Sequence, residues 1–431
     1  MPRPPQTAAD ATLAAVTTPD TVREAFASAF GGGPAVVARA PGRVNLIGEH
    51  TACSGLPVLA IAIDRATRVA ASANDTGIVE VRSDQFEPPA RLSRNAPGAG
   101  TLAPWHGYVA GVVRELAALA PGRGAIVLVS SDLPAAGGLS SSSALTVGMI
   151  AALSTAWGGA LALEEVARLA IAAERHAGAE TGGIDQQVIA LAKAGHGLRI
   201  DFLPPGTRHV PLPEGLRFVA AAPGAEAPGG TAARDAGNAR VVASRAAAVL
   251  LAHQLGFEIE SDPPLLAHVA DVDVVDLLVD ELPEKAPARD AARTAGVDVA
   301  RLVSLASTEF DPGLPLSIRR TARHVLSEAA RVEAAEQALL GGDLKAFGAI
   351  LNESHGSLRD DLRCSTPALD RVCAAMRKAG AFGARLTGAG IGGLALAAVP
   401  AGREEAVIAA AVAATGGPAF TVTPSDGLRL Q

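Results

Sequence analysis

Aromatic side chains are scarce in this chain of 431 residues, which holds ten Phe, two Trp and one Tyr. That scarcity excludes a stacking surface for single-stranded nucleic acid, which needs rings spaced along a groove, and it leaves Ala, Val and Leu to build the core. Cysteine is as sparse. Cys53, Cys364 and Cys373 are odd in number and form no CxxC pair, so neither a thiolate metal site nor a redox motif is encoded and a reducing cytoplasm is the expected compartment. No block of like charge occurs: 37 Lys and Arg stand against 44 Asp and Glu, for a net charge of −7. Nucleic acid and membrane headgroups are therefore poor partners. The first twenty residues, Pro- and Thr-rich, lack the apolar run of a secretion signal. Residues 145–162 approach the length of a membrane span, but Ser154, Thr155, Gly158 and Gly159 interrupt them. A buried helix is expected there.

What is present suits a large globular enzyme. Apolar residues make up 49% and charged residues 19% of the chain, enough to bury a core and too apolar for wholesale disorder. The length exceeds one ordinary core, so two lobes are expected, residues 1–205 and 206–431, with a cleft between them. Strand character runs through 35–81, 125–129, 198–202 and 216–222. Helical spacing marks 107–119, 164–176, 238–255, 318–340 and 344–354, and a Pro-rich turn lies near 203–213. Residues 263–313 are rich in Asp and Pro with weak periodicity.

Four segments carry chemistry. Residues 134–145 read PAAGGLSSSSAL between an expected strand and helix. Glycines let the backbone approach an anion, N–H groups and the helix dipole attract it, and serine hydroxyls reach a metal; simple turn chemistry is the plainer alternative. The loop has no Walker lysine, which disfavours the ordinary P-loop folds. Residues 40–50 read APGRVNLIGEH. Arg43 there can offset charge on a transferring phosphoryl group, and Glu49 with His50 can orient hydroxyls, unless Arg43 and Glu49 form a structural pair. Residues 173–186 read AERHAGAETGGIDQ, whose glycines would expose Asp185 in a loop. It can accept or orient a hydroxyl proton there, or serve only as a turn residue or cap. Residues 384–393, ARLTGAGIGG, form another glycine turn, able to close over a phosphate or to make a tight strand corner.

Taken in order, these segments resemble the GHMP kinases, with galactokinase-like character over most of the chain. Residues 39–48 are similar to the PGRVNLIGEH signature, 138–145 to the GLSSSA phosphate loop and 183–187 to the GxxDQ segment, while 320–370 and 385–393 resemble the galactokinase second lobe. The resemblance implies an α/β, two-lobed GHMP kinase fold holding ATP and substrate in the inter-lobe cleft, with Mg2+ and no covalent phosphoenzyme. It implies transfer to the anomeric hydroxyl of a galactose-like sugar or derivative, by a monomer or weak homo-oligomer. Asp185 and Arg43 then fall on catalytic positions. Glu49, His50, Gly183 and Asp185 fall on sugar contacts. Gly137, Gly138, Leu139, Ser140, Ser141, Ser142 and Ser143 fall on the phosphate loop, Trp105 on an adenine neighbour, and Ser141 and Glu174 on metal ligands.

Two positions depart from the family pattern. Where galactokinases carry Thr-Asp-Tyr after the histidine, this chain reads Thr51-Ala52-Cys53, and the Tyr of a YNxR segment is replaced at Gly237. Each change removes a hydrogen-bonding group and enlarges the pocket. The expected loss is about 1–3 kcal/mol for a buried hydroxyl left without its partner, so a substituted or deoxygenated sugar is expected to outperform galactose. A GHMP kinase for a non-sugar alcohol and a non-catalytic sugar and ATP sensor are the rival expectations.

Overall fold

The computed structural model describes residues 17–98, 103–134, 138–178, 182–224, 231–305, 310–388, 390 and 393–431. They divide into two compact units. The amino-terminal unit takes 17–44, 61–198 and 423–431, and the carboxy-terminal unit takes 45–60 and 199–422. A single cut near 205 therefore does not describe the chain. Residues 45–60 join the later segment because Arg385 and Glu328 hold the turn that carries Glu49.

In the amino-terminal unit the strand order is Arg429–Leu430, Val36–Ile47, Val58–Asn74, Gly124–Ser131, Ile78–Ser83 and Ala90–Ser93. Arg429–Leu430 with Val36–Ile47, Val58–Asn74 with Gly124–Ser131, and Ile78–Ser83 with Ala90–Ser93 pair antiparallel, whereas Ile78–Ser83 runs parallel to Gly124–Ser131. Fully buried Val, Leu, Ile and Ala fill these strands, as expected where side chains on both faces leave water. Against them lies the helix Ser141–Ala156, buried from Ser143 through Ser154. It carries no charge and no broad polar face, so it can be only a core helix. No helix among the described residues is long and apolar enough to cross a membrane.

Small residues set the spacing. A Cβ on Gly111, in the helix His106–Glu115, would sit 2.1 Å from the Ala173 carbonyl oxygen of the helix Leu163–His176. Gly111→Ala must push these helices apart, and it is expected to cost about 1–3 kcal/mol. Gly32→Ala, with nothing within 4 Å of its Cβ, should stay within about 0.5 kcal/mol of the parent. Urea unfolding of both variants checks the contrast.

The carboxy-terminal unit contains an antiparallel sheet ordered Gly383–Thr387, Leu394–Pro400, Leu216–Ala221, Ala419–Val422. The helices Ile318–Leu340, Leu344–Asp360 and Pro367–Lys378 lie between Leu216–Ala221 and Gly383–Thr387 in the chain, and a second cluster of alanines and leucines surrounds the helix Thr231–Gln254. The Pro-rich stretch expected as a turn contains a strand, Pro205–Pro211, paired with His196–Phe202. Charge holds it where apolar pattern is absent: Arg208 ion-pairs with Asp201 and Glu336. The weakly periodic 263–313 region contains the short helices Val275–Val279, Ala288–Ala295 and Ala300–Val303.

Candidate active site

The strand Val36–Ile47 presents Arg43 to the aspartate helix Ile184–Leu191. Arg43 Nε donates to Asp185 Oδ1 at 2.7 Å and Nη2 donates to Oδ2 at 2.9 Å. Ser140 Oγ donates to the same Oδ2 at 2.6 Å, and Arg43 Nη1 donates to the Gly138 carbonyl at 2.6 Å. Three segments distant in sequence thus meet on one carboxylate. Asp185 was expected in an open loop; it stands instead in the first turn of a helix, after Gly183 at φ 79°. Only glycine adopts that backbone without cost, and an acidic side chain in a first turn is favoured by the helix dipole. The alternative pairing of Arg43 with Glu49 is replaced by this bidentate one.

A carboxylate offers about four accepting directions, and here three are taken, one on Oδ1 and two on Oδ2. Among the described residues nothing takes the second direction on Oδ1, which is open to a substrate hydroxyl. With its side chain 25% exposed, Asp185 is reachable.

The serine loop is shaped for an anion. Ser140 precedes the helix Ser141–Ala156 in the left-handed region, at φ 62° and ψ 44°. Its hydroxyl, which an ordinary N-cap turns onto the helix amides, is committed to Asp185 and makes no cap hydrogen bond to the first turn. A helix start without a cap offers N–H groups and a positive dipole end to phosphate oxygens. Gly138, at φ 72° with nothing within 4 Å of a built Cβ, leaves room in front of it. Leu139 is buried, and its carbonyl accepts from the Arg43 amide at 3.2 Å. Ser142 follows in the helix, Ser143 is buried within it, and Gly137 lies outside the described residues.

Glu174 ends the helix Leu163–His176 and is 3% exposed. Its Oε1 accepts from Thr146 Oγ1 at 2.9 Å and from Gln186 Nε2 at 2.7 Å. Gln186 also donates to Ser143 Oγ at 3.2 Å, which ties the glutamate to the serine helix. Burial pushes the Glu174 carboxyl up, and the Asp185 charge adds to that; only neutral donors oppose it. Such a site favours a cation when the carboxylate is ionised. Trp105, expected beside adenine, is 7% exposed, stacked on Phe86 at 6.1 Å and edge-on to His106 at 4.7 Å.

In the carboxy-terminal unit the sequence-expected sugar contact Glu49 is 2% exposed. Its Oε2 accepts from Arg385 Nη2, and its Oε1 from the Gly388 amide at 2.8 Å and Thr387 Oγ1 at 3.3 Å. It therefore anchors the turn instead of presenting a free carboxylate. Arg385, fully buried, also faces Glu328 at 3.8 Å and donates to the Leu46 carbonyl. His50, at φ 63°, follows Glu49 with its ring 6.5 Å from that of His324. Neither Glu328 nor His324 was singled out from sequence. The signal was there, because both fall on the buried stripe of Ile318–Leu340 with Val325 and Val332.

Glu328 carries a pH consequence. Burial opposes its ionisation, yet Arg385, His324 and Arg331 outweigh it and hold the carboxyl down to about 2. A depressed carboxylate contributes stability that is present above its unfolded value near 4.5 and is lost as pH falls toward 2. Acid unfolding of Glu328→Gln should show a shallower dependence on pH across that window than the parent; equal slopes would remove Glu328 from the account.

Known proteins share this arrangement of chain. A model of the galactokinase galactose-binding signature matches residues 24–73, one of the GHMP kinase N-terminal domain matches 107–193, and one of the GHMP kinase C-terminal region matches 334–416. A galactokinase of Chloroflexus aggregans is 35% identical over 399 residues, covering 91% of each chain. The crystal structure of Lactococcus lactis galactokinase complexed with galactose superposes with a TM-score of 0.75 at 25% identity, covering 96% of this chain and all of that one. Mevalonate kinase of Methanococcus jannaschii shares the fold, with a TM-score of 0.59 at 18% identity over 90% of this chain and 98% of that one.

Proposed function

The chain belongs to the galactokinase family of GHMP kinases, and from that membership we propose how its residues divide the transfer of a phosphoryl group from ATP to the anomeric hydroxyl of a galactose-like sugar. The observation that carries the reading is the Arg43–Asp185–Ser140 cluster at the start of a helix whose N-cap serine turns to the aspartate instead of the helix amides.

Asp185 holds the acceptor hydroxyl through its remaining Oδ1 direction and sets it in line for attack, so the gain is mainly positional and electrostatic. Arg43 fixes the Asp185 carboxylate in one orientation and places positive charge where the transferring group becomes anionic. The amides following Gly138 and the hydroxyls of Ser141 and Ser142 receive phosphate oxygens. Ser141 and Glu174 would hold Mg2+, which supplies neutralisation of phosphate charge; a buried glutamate with only neutral hydrogen-bond donors fits that role. His50 orients sugar hydroxyls, and Glu49 fixes the turn from which His50 projects. Trp105 shapes the nucleotide base neighbourhood from within its aromatic packing. The three free thiols suit a reducing cytoplasm, where the enzyme works as a monomer or weak homo-oligomer.

Ala52 and Gly237 set the acceptor preference. A built Cβ at Gly237 meets nothing within 4 Å, so a tyrosine can be installed there without a clash at its base. Ala52→Asp combined with Gly237→Tyr is expected to raise kcat/KM for D-galactose by about 10- to 100-fold. The check is ADP release across a panel of galactose, deoxy, N-acetyl and carboxylated sugars. No gain in the double variant moves the specificity determinants elsewhere. Turnover of a non-sugar alcohol alone, or of nothing, favours the other two readings.

A further inference from the structure

Arginines that burial disfavours elsewhere in the molecule find oxygen. Arg94 donates to the carbonyls of Leu116 and Leu119, Arg39 to those of Ile63, Asp64 and Asp426, and Arg68 pairs with Asp132. Arg240 does not. It is partly buried on the helix Thr231–Gln254, and burial pushes its guanidinium down. Among the described residues no carboxylate, carbonyl or hydroxyl oxygen accepts from it; the ionisable group near it is the Cys364 thiol, which burial keeps protonated. A desolvated cation without a counter-charge is costly unless a ligand supplies one.

Its surroundings have the form of a ligand wall. Gly237, Arg240 and Ser244 follow at spacings of three and four, so they share one face of the helix. Ser244 Oγ lies 2.6 Å from Ser54 Oγ, which docks this face on the short turn Ala52–Ser54. One end of the stripe is thus packed, and the other end, at Gly237, is open. Cys364 extends the wall to the glycine turn, since a Cβ on Gly390 would meet Cys364 Cβ at 2.7 Å and Sγ at 3.1 Å. Gly388 and Gly390 have φ of 92° and 78°, and nothing stands within 4 Å of a Cβ on Gly388. The face carries no carboxylate at position 52, where one would repel an anion.

We propose that Arg240 is a binding residue for an oxyanion of the bound small molecule, on the wall formed by Gly237, Ala52, Gly388 and Gly390. The identity of the ligand rests on the sugar-kinase reading, and it admits two sources of the same chemistry. One is a carboxylate carried by the acceptor sugar, which the missing acid at 52 and the space at 237 favour. The other is the terminal phosphate of the nucleotide, which the glycine turn would accompany.

Thermal unfolding of the full chain, with and without D-galactose, D-galacturonate, ADP and ATP, tests the assignment in the parent and in Arg240→Met and Arg240→Lys. Without ligand, Arg240→Met should unfold at the same temperature as the parent or higher, because an unpaired charge has been removed. Affinity for one anionic probe should fall by about 10- to 100-fold while D-galactose is unaffected, and the lysine variant should recover part of the loss. Loss confined to D-galacturonate identifies the acceptor carboxylate; loss for ATP but not ADP identifies the terminal phosphate. Unchanged affinity for all four probes, or a destabilised methionine variant that binds them normally, overturns the assignment and makes Arg240 structural. Should the methionine variant not fold, the lysine variant decides alone, since its affinities must then differ from the parent for one anionic probe. A parent chain that binds neither sugar nor nucleotide ends the kinase reading as well, and that result is read before any variant is compared.

Discussion

Replacing Asp185 by alanine should lower kcat by about 10²- to 10⁴-fold while the affinity for ATP changes little. Arg43 holds the aspartate bidentately through the Nε and Nη2 edge of its guanidinium, and the remaining accepting direction of the carboxylate is the one a substrate hydroxyl can use. Alanine removes that acceptor and also releases Arg43, which keeps only the Gly138 carbonyl among these contacts. The amides proposed to receive phosphate belong to another segment, the start of Ser141–Ala156, so nucleotide binding should survive. Structure should survive too. The pair is partly exposed, with side chains 11% and 25% accessible, and ion pairs open to solvent contribute about 1 kcal/mol or less. Single-turnover kinetics with nucleotide titration separates the two effects. An alanine variant with parental kcat would place the hydroxyl elsewhere; a variant with lost ATP affinity would make the cluster a nucleotide site first.

Arg385→Met carries the largest expected effect on stability, a loss of about 3–5 kcal/mol. Arg385 is fully buried and serves two buried carboxylates, Glu49 and Glu328, as well as the Leu46 carbonyl. Methionine fills much of the volume but leaves Glu49 with only neutral donors, the Gly388 amide and the Thr387 hydroxyl. Glu328 keeps Arg331 at 2.7 Å and Ser354, so Glu49 bears most of the cost. Two remedies are open to the variant: Glu49 takes a proton, or water enters. Both weaken the turn that carries His50, so sugar affinity should fall with stability. Arg208→Ala is the control, because its side chain is 48% exposed and exposed pairs are worth about 1 kcal/mol or less. Urea unfolding at pH 7 distinguishes them. Equal losses in the two variants would mean that the buried cluster is already hydrated.

Much of the chemistry was legible because each motif combines a backbone demand with a functional group. Glycine before Asp185 and glycines before the serines announce left-handed turns, and the structure has them at Gly183 and Gly138. A buried helix within 145–162 was legible because the stretch lacks charge, although the helix runs from Ser141 and stops at Ala156; Gly111 and Gly148 show why small residues were needed to seat such helices. What resisted was local. Asp185 looked like a loop residue because two glycines precede it, yet the helix restarts at Ile184, one residue after Gly183. Pro205–Pro211 looked like a turn because prolines cannot fill a central ladder; the pairing there relies on Arg199, Arg208 and acids from a helix more than a hundred residues later.

By itself the sequence determined the family membership and the residue types that each motif offers, since these depend on short-range backbone geometry and side-chain chemistry. Only the tertiary structure decided partners. It gave Arg43 to Asp185 and Glu49 to Arg385, turned the Ser140 hydroxyl from its helix to the aspartate, and left Arg240 without an oxygen partner among the described residues. The reason is physical: a charge reveals its type along the chain, but the group that neutralises it is selected by proximity and desolvation after folding.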